Sequence, residues 1–545
     1  MSFPHSGSVM RGAMLSGLLT AAGTLVVRPA VAAKITPPLA VVADSALSCA
    51  GDLALLERKM HLDYGGYTLE LRGDRLRDFA AMKARLQQRA DRAVGDDACY
   101  EVLRDFVDWF DDPHLFVYQN TAVDSAETAR RAAAVEYRSI DERTVRTYYQ
   151  RHQSSLDPVE GIWYDRGLRV AILHDSARGP NEFVAVMLAS DTALWRPGDV
   201  RARLKRRGDG SYDVRLSERN FARVRRRGEI YRHVLLRLSP GIWGKEFPIA
   251  GADTGTLDPV DPHRPVLYRR NGTLVFAIPS HDGFRAVIDS MVSANRDALA
   301  HADRMIIDLR GNEGGGSGMT ESLEPFISLK EDKPGVFTTT GSLMWSSDDQ
   351  IAYARRAFGA ETTAFVRSLV ERLRAHPGEL VPLNDPSVPE TPPAPRDWVV
   401  SSGPRAVGML IDHGTVSASE VLVLTALRSA RATVFGEPTA GALDYQSTSI
   451  VSLSPREKRW YLGYGTITRT RDLPRGGMRG HGIPPEVRLD LRRIADPVDY
   501  VDRALRGTGH GQRATGNGEQ LPSPNPVPPQ PSPPNDSDDW IASAS

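Results

Sequence analysis

Arg304-Met-Ile-Ile-Asp-Leu-Arg-Gly-Asn-Glu-Gly-Gly-Gly316 is the stretch from which the fold is read. Arg304 to Leu309 is an apolar run of strand length, and the glycines that follow release the backbone into a loop. From about Pro265 onward the surrounding chain has the grammar of an α/β domain. Thr273 to Pro279 reads as a strand, Phe284 to Ala300 as a helix, Ala406 to Ile411 as a strand and Ser417 to Arg428 as a helix. Thr433 to Phe435 and Thr466 to Thr468 read as later strands, and residues 495–506 as a last helix. Strands alternating with helices predict a mixed or parallel sheet with function at the strand ends.

Upstream the periodicity changes twice. From Ser45 to about Leu115, apolar residues such as Leu53, Leu56, Met60, Phe79, Met82 and Leu86 recur every three or four positions among charges, as on amphipathic helices. A further helix is expected from Ala98 to Phe110, stopped by Asp111-Asp112-Pro113; His114 follows, ahead of apolar Leu115 to Tyr118. Residues from about Ala122 to His152 read as a polar helix and connector. From Gly161 to about Phe247, strand-like runs (Leu168 to Leu173, Phe183 to Leu188, Tyr212 to Leu216) are separated by turn residues. They predict a small antiparallel β module, a barrel or a sandwich.

The ends of the chain have their own compositions. Arg11 precedes an apolar stretch, Ala13 to Val27, followed by Ala30-Val31-Ala32-Ala33. This is the pattern of a cleavable export signal, and it predicts a periplasmic or secreted protein. The run is too short and too rich in Gly and Thr to span a membrane, so no stable membrane insertion is expected. In an exported chain the two cysteines, Cys49 and Cys99, are expected to pair. The bridge would close a loop of about 50 residues and stabilise by roughly 3–4 kcal/mol. Beyond about Gly507 the chain is Gly, Pro, Ser and Asn and reads as disordered. The expected division is a signal at 1–33, a helical domain at 34–120, a connector at 121–155 and a β-rich insert at 156–262. A catalytic domain at 263–506 and the tail at 507–545 complete it. The 68 Lys and Arg balance 68 Asp and Glu, so net charge offers no argument for a nucleic-acid partner.

Two segments can carry chemistry. In Asp308 to Gly316, glycines at a strand end let backbone N–H groups face a cavity; the spacing is not that of a phosphate loop, and no lysine follows closely. In Gly414-Thr-Val-Ser-Ala-Ser-Glu420, a serine stands at a strand-to-helix junction. There the helix dipole and neighbouring amides can stabilise an oxyanion. Ser419-Glu420 is the expected capping element, which leaves Ser417 free.

Together these segments resemble the S41 family of serine peptidases, the C-terminal-processing or tail-specific proteases and their tricorn-like and retinoid-binding-protein-like relatives. The matching pieces are Asp308-Leu-Arg-Gly-Asn-x-Gly-Gly315, Thr415-x-Ser-Ala-Ser-Glu420, Gly436-Glu-Pro-Thr-x-Gly441 and Gly482-Ile-Pro-Pro-Glu-Val-Arg-Leu489, in the family's order. The resemblance implies an α/β catalytic core of the ClpP/crotonase-like kind, a mixed sheet with helices, here with an N-terminal helical domain and a β-rich insert. It implies Ser417 as nucleophile and an oxyanion hole from the amides of Gly314, Gly315 and Ala418. Where the bacterial processing enzymes carry a lysine base this chain has Ala442, so the serine needs another base. The histidine-bearing branch places one after a helix end in an Asp-x-His context, which Asp112-Pro-His114 matches. His114 is the expected base, His481 the rival, and His413 is expected to point elsewhere. The tricorn-like pattern has a carboxylate shortly before the terminal motif, where Arg479 and Gly480 stand here. Asp112, Asp111 and Asp444 are candidates to orient the histidine or line the site.

The expected activity is hydrolysis of peptide bonds in peptide or protein substrates through an acyl-enzyme, with no cofactor or metal. A carboxylate-binding loop of a PDZ domain is not visible in residues 120–260. A non-catalytic binding protein on the same fold and an esterase are the competing readings.

Overall fold

The computed structural model describes residues 48–507 apart from 122–123, 240, 317, 319–320, 330–331, 333–341, 360–362, 389–398, 401, 455–458 and 470–476. The expected signal at 1–33 and tail beyond Gly507 lie outside the described residues.

A six-stranded sheet carries the residues quoted first. Its order is Val266–Arg270, Thr273–Ala277, Arg304–Asp308, Ala406–Ile411, Ala432–Gly436 and Val487–Arg488. The first pair is antiparallel and the others are parallel, so the sheet is mixed. Its central strands are continuous apolar runs because both faces are covered. On one face Phe276, Ile307, Met409 and Val434 pack with Ile288, Val292, Leu422 and Val423 from helices Arg285–Ala294 and Ala418–Ala426. On the other face Val275, Ile306, Leu410 and Phe435 meet Val498, Val501 and Leu505 of helix Pro497–Gly507. The single helix expected over Phe284 to Ala300 is two, Arg285–Ala294 and Arg296–Ala300. Asn295 separates them: its Nδ2 donates to the Met291 carbonyl and competes with the helical ladder.

A second, antiparallel sheet joins distant parts of the chain. Trp460–Thr468 pairs with Phe116–Gln119, Leu343–Trp345 and Tyr445–Ser452. Helices Cys49–Asp63, Asp74–Arg92 and Gly95–Asp108 pack on it through Leu56, Met60, Phe79 and Phe106, with Phe110 just past the last helix. Trp460, Leu462, Tyr464 and Tyr445 belong to the same buried cluster. The N-terminal helices therefore share their core with strands from the C-terminal part of the chain. Cys49 and Cys99 are bonded, tying the start of the first of these helices to Gly95–Asp108. Reduction is expected to cost about 3–4 kcal/mol of stability, read as a lower denaturant midpoint with dithiothreitol than without. An unchanged midpoint would contradict it.

The β-rich segment is a closed barrel of eight strands running from Gly161–Asp165 to Ile242–Phe247. It is a barrel and not a sandwich because Ile162 of the first strand pairs with Phe247 of the last. Trp163, Phe183, Trp195, Tyr212, Phe221 and Trp243 contribute to its packed core. The connector forms two helices, Ser125–Ala133 and Glu142–Arg151, and Tyr137 between them bridges to Asp199 of the barrel. Helices Asp348–Ala357 and Ala364–Ala375 were not expected. Their signal is local: Ser347 and Thr363 accept N-terminal amide bonds, and Val366, Leu369, Val370 and Leu373 lie at helical spacing. Among the described residues, no helix is long and apolar enough to cross a membrane.

Candidate active site

Ser417 occupies the N-cap position of helix Ala418–Ala426 with φ 58° and ψ −115°. A non-glycine residue there costs on the order of 1–3 kcal/mol and persists only where its surroundings hold it. Glu420 does much of the holding. Its buried carboxylate accepts from Ser417 N–H at 2.8 Å, Thr439 Oγ1 at 2.6 Å, Gly441 N–H at 2.8 Å and Ala442 N–H at 2.9 Å. Ser419, expected to cap with it, instead points its hydroxyl at the Asn312 carbonyl, 3.5 Å away. Ala442, at the family's lysine position, is buried and contributes only its backbone to this knot. Among the described residues, no lysine lines the cleft at Ser417. Glu420→Ala leaves four donors without their acceptor and is expected to destabilise by on the order of 3 kcal/mol or more. Urea denaturation measures this; a loss below ~1 kcal/mol would show that the knot is not what holds the turn.

The glycine loop is built to approach this turn. Asp308 is buried between Arg310, which donates at 2.9 and 2.8 Å, and Arg232 at 3.3 Å. These two guanidiniums hold its carboxyl below the usual range against the cost of burial. Asp412 accepts from Gly311 N–H and Gly414 N–H, both at 2.9 Å, and so ties the two loops. Asn312 donates to the Ile278 carbonyl at 2.7 Å and accepts Val416 N–H on its own carbonyl at 2.9 Å. At Gly314 a Cβ would fall 2.7 Å from the Val416 carbonyl and 2.9 Å from Ser417 Cβ, so only glycine allows this approach.

Gly314 is expected to offer its amide N–H to an oxyanion. That N–H donates to Asn312 Oδ1 at 2.8 Å. The Ala418 amide lies at a helix N-terminus, where backbone N–H groups lack intrahelical acceptors.

His114 stands in the loop between helix Gly95–Asp108 and strand Phe116–Gln119, with its Nε2 2.8 Å from Ser417 Oγ. Burial lowers its pKa to about 4, with the Tyr445 backbone acting in the opposite direction, so the ring is neutral at pH 7. Nδ1 makes no well-aligned hydrogen bond; Asp112 Oδ1 is 3.9 Å from it. Asp112 is instead used inside its own loop, accepting from His114 N–H at 2.9 Å and from the Tyr64 hydroxyl at 2.7 Å. Burial pushes the Asp112 carboxyl up to about 7, against these two hydrogen bonds and Arg479, while Asp444 adds to the rise.

The other candidates lie away from Ser417 and His114. Asp444 accepts from the amides of Met478 and Arg479, both at 2.9 Å, and so shapes the loop before the terminal motif. Arg479, where the tricorn-like pattern has a carboxylate, donates to the Phe110 carbonyl at 2.7 Å and pairs with Glu70 at 2.5 Å. Its cation clamps the helix end that leads into Asp112 and His114. His481 is exposed, with Nδ1 3.1 Å from the Arg479 carbonyl, and is not brought to Ser417. Asp111 is exposed. His413 lies between Glu229 and Glu437, at 3.8 and 3.9 Å.

Ser417 and His114 open into a cleft of about 2190 Å³ between the barrel and the two sheets. The strand Phe116–Gln119 forms one wall, barrel residues Arg226, Glu229 and Arg237 another, and Tyr353, Phe358 and Leu383 a third. Sequence reading named Glu420 only as part of the helix cap, not as the organiser of the whole turn, and missed Asn312 as competitor for the Gly314 amide and the barrel's presence at the site. The first two lie inside the quoted motifs. The third has no local signal.

A hydroxyl held at a helix N-terminus, 2.8 Å from a neutral imidazole and beside a glycine loop, is the arrangement of a serine hydrolase. Residues 275–489 match the model of peptidase family S41, and this match supports a serine-type peptidase of that family. No curated protein matches the chain by sequence. The structure resembles that of mature CPAF complexed with lactacystin (14% identity, 84% of this chain and 97% of that one, TM-score 0.40). It also resembles a putative peptidase from Parabacteroides merdae ATCC 43184 (11% identity, 85% and 98% covered, TM-score 0.38). A third likeness is to the photosystem II D1 C-terminal processing protease (14% identity, 86% and 100% covered, TM-score 0.31). These likenesses are distant, and the family assignment rests on the match over 275–489.

Proposed function

We propose that the protein is an exported serine peptidase that cleaves peptide or protein substrates through an acyl-enzyme on Ser417, with His114 as base. The observation that carries this reading is the 2.8 Å contact between His114 Nε2 and Ser417 Oγ, made across 303 residues of chain. Nε2 of the neutral ring takes the hydroxyl proton as Oγ attacks the peptide carbonyl. The carbonyl oxygen, now an oxyanion, takes hydrogen bonds from the Gly315 and Ala418 amides. The imidazolium then returns its proton to the leaving amine, and water attacks the ester by the same route in reverse. A ring buried this deeply needs help to become charged; the Tyr445 backbone favours the charged form, and the Asp112 carboxylate lies 3.9 Å from Nδ1. No step requires a metal or cofactor.

Export is part of the proposal. It is supported by the signal pattern at 1–33 and by a disulfide that persists in an oxidising compartment. The mixed sheet with helices on both faces supports the ClpP/crotonase-like description of the core.

A serine-directed fluorophosphonate tests the function. Labelling mapped to Ser417 by mass spectrometry, with cleavage of a peptide library, supports the peptidase. Labelling with turnover of esters alone would favour the esterase. No labelling and no turnover would favour a binding protein that has kept the fold.

A further inference from the structure

We propose that Arg237, supplied by the barrel, is a positioning residue for this reaction, tying the nucleophile loop to the glycine loop. The proposal rests on the serine-peptidase reading of the site and gives the barrel a part in it. Arg237 ends the short strand Leu235–Arg237 and is largely buried at the cleft. Its Nη1 donates to the Gly414 carbonyl at 3.1 Å, three residues before Ser417. Its Nε lies 3.1 Å from the Glu313 carboxylate, immediately before Gly314 and Gly315. One planar guanidinium thus touches both loops that carry the reacting groups, a task its fixed fork of donors suits and a lysine's single ammonium does not.

Three further contacts show that the barrel hairpin is built into the site. Arg237 stacks on Tyr231, 4.6 Å from its ring centroid, and is balanced by Glu229 at 3.3 Å. The Tyr231 ring closes on the two loops: a Cβ on Gly414 would fall 2.4 Å from it, and a Cβ on Gly311 2.8 Å from the Tyr231 side chain. At the turn of the hairpin, Arg232 is buried and pairs with Asp308 at the end of its strand. Glycine loops hold a reacting geometry only if something outside them does the holding, since glycine itself restricts the backbone least. Asp412 and Asn312 supply this from within the core; Arg237 supplies it from the cleft side. A displacement of about 1 Å between nucleophile and oxyanion donors is enough to cost roughly 10²-fold in rate.

The test compares Arg237→Met, Arg237→Lys and Glu313→Gln in the full chain. Expected for Arg237→Met is a fall in kcat of about 10²-fold with KM within about threefold. Glu313→Gln should fall less, and Arg237→Lys should recover part of the loss. Amide hydrogen exchange read by mass spectrometry should speed up in peptides covering 311–316 and 414–418, with the peptide covering Arg304–Asp308 unchanged. A folded Arg237→Met with wild-type kcat and wild-type exchange overturns the proposal. So does a rise in KM alone, which would make Arg237 a substrate contact. If Arg237→Met fails to fold by circular dichroism, Glu313→Gln carries the same test, its carboxylate being at the partly exposed end of the pair. Should the wild type neither cleave peptides nor react with fluorophosphonate, the peptidase reading fails; the exchange data still decide whether Arg237 ties the loops.

Discussion

Ser417→Ala is expected to lower kcat for peptide hydrolysis by about 10⁶-fold, the scale on which loss of a serine nucleophile removes the whole covalent route. Fluorophosphonate labelling should vanish with it. Stability should hardly change, because alanine at φ 58° carries the same backbone strain as serine and the four hydrogen bonds to Glu420 involve no Ser417 side-chain atom. Ser417→Gly makes the separate point. It removes the same hydroxyl but relaxes the positive φ, and should raise stability by about 1 kcal/mol. A stabilised and inactive glycine variant beside an isostable, inactive alanine variant would establish that strain is stored at the nucleophile. Retained turnover in either variant would remove Ser417 from the mechanism.

His114→Ala is the second large expected effect, a loss of about 10⁴-fold or more, since base and nucleophile act as a unit. Its pH dependence carries more information than its size. His114 must be neutral to accept a proton, and with its pKa lowered to about 4 it is neutral through the physiological range. Asp112, pushed up to about 7, is ionised only above that. If its charge steadies the imidazolium, kcat/KM should be full above pH 7 and fall as Asp112 is protonated below it. A lower limb near 4 belongs to His114. The two groups are close enough to titrate as a pair, so the limbs are properties of both. Asp112→Asn should remove the upper limb and lower the plateau. A wild-type profile that stays flat down to pH 5 would leave Asp112 with only its loop-shaping hydrogen bonds. Near-normal activity in His114→Ala, with loss in His481→Ala, would move the base to His481.

The central strands were legible because burial on both faces writes a continuous apolar run into Arg304–Asp308 and Ala406–Ile411. The strands of the second sheet were not read in the same way. Leu343–Trp345 is three residues long, and Phe116–Gln119 is too short to show a period. Both are made strands by their pairing with Trp460–Thr468 and not by propensity. The barrel's closure was equally invisible, since an edge becomes an interior only through a partner far along the chain. At the site, motif order named Ser417, Gly314, Gly315 and Ala418 as candidates. It could not foresee that Asn312 would take the Gly314 amide, a competition settled by one side-chain rotamer. Nor could it show that Arg479 would bind a helix end where a carboxylate was expected, because an ion pair with Glu70 depends on two segments meeting.

By itself, then, the sequence determined what is local: apolar runs that must be buried, glycines that admit a close approach, a serine at a strand-to-helix turn and the absence of a lysine after the Gly-Glu-Pro-Thr stretch. The tertiary structure alone decided which histidine meets that serine. Phe116–Gln119 pairs with Trp460–Thr468, and that register carries His114 to 2.8 Å from Ser417 while His481 remains in solvent. Only the fold, too, brought Arg237 of the barrel onto both catalytic loops. Hydrogen bonds and packing between residues hundreds of positions apart depend on the net burial of the whole chain, and no short segment carries that information.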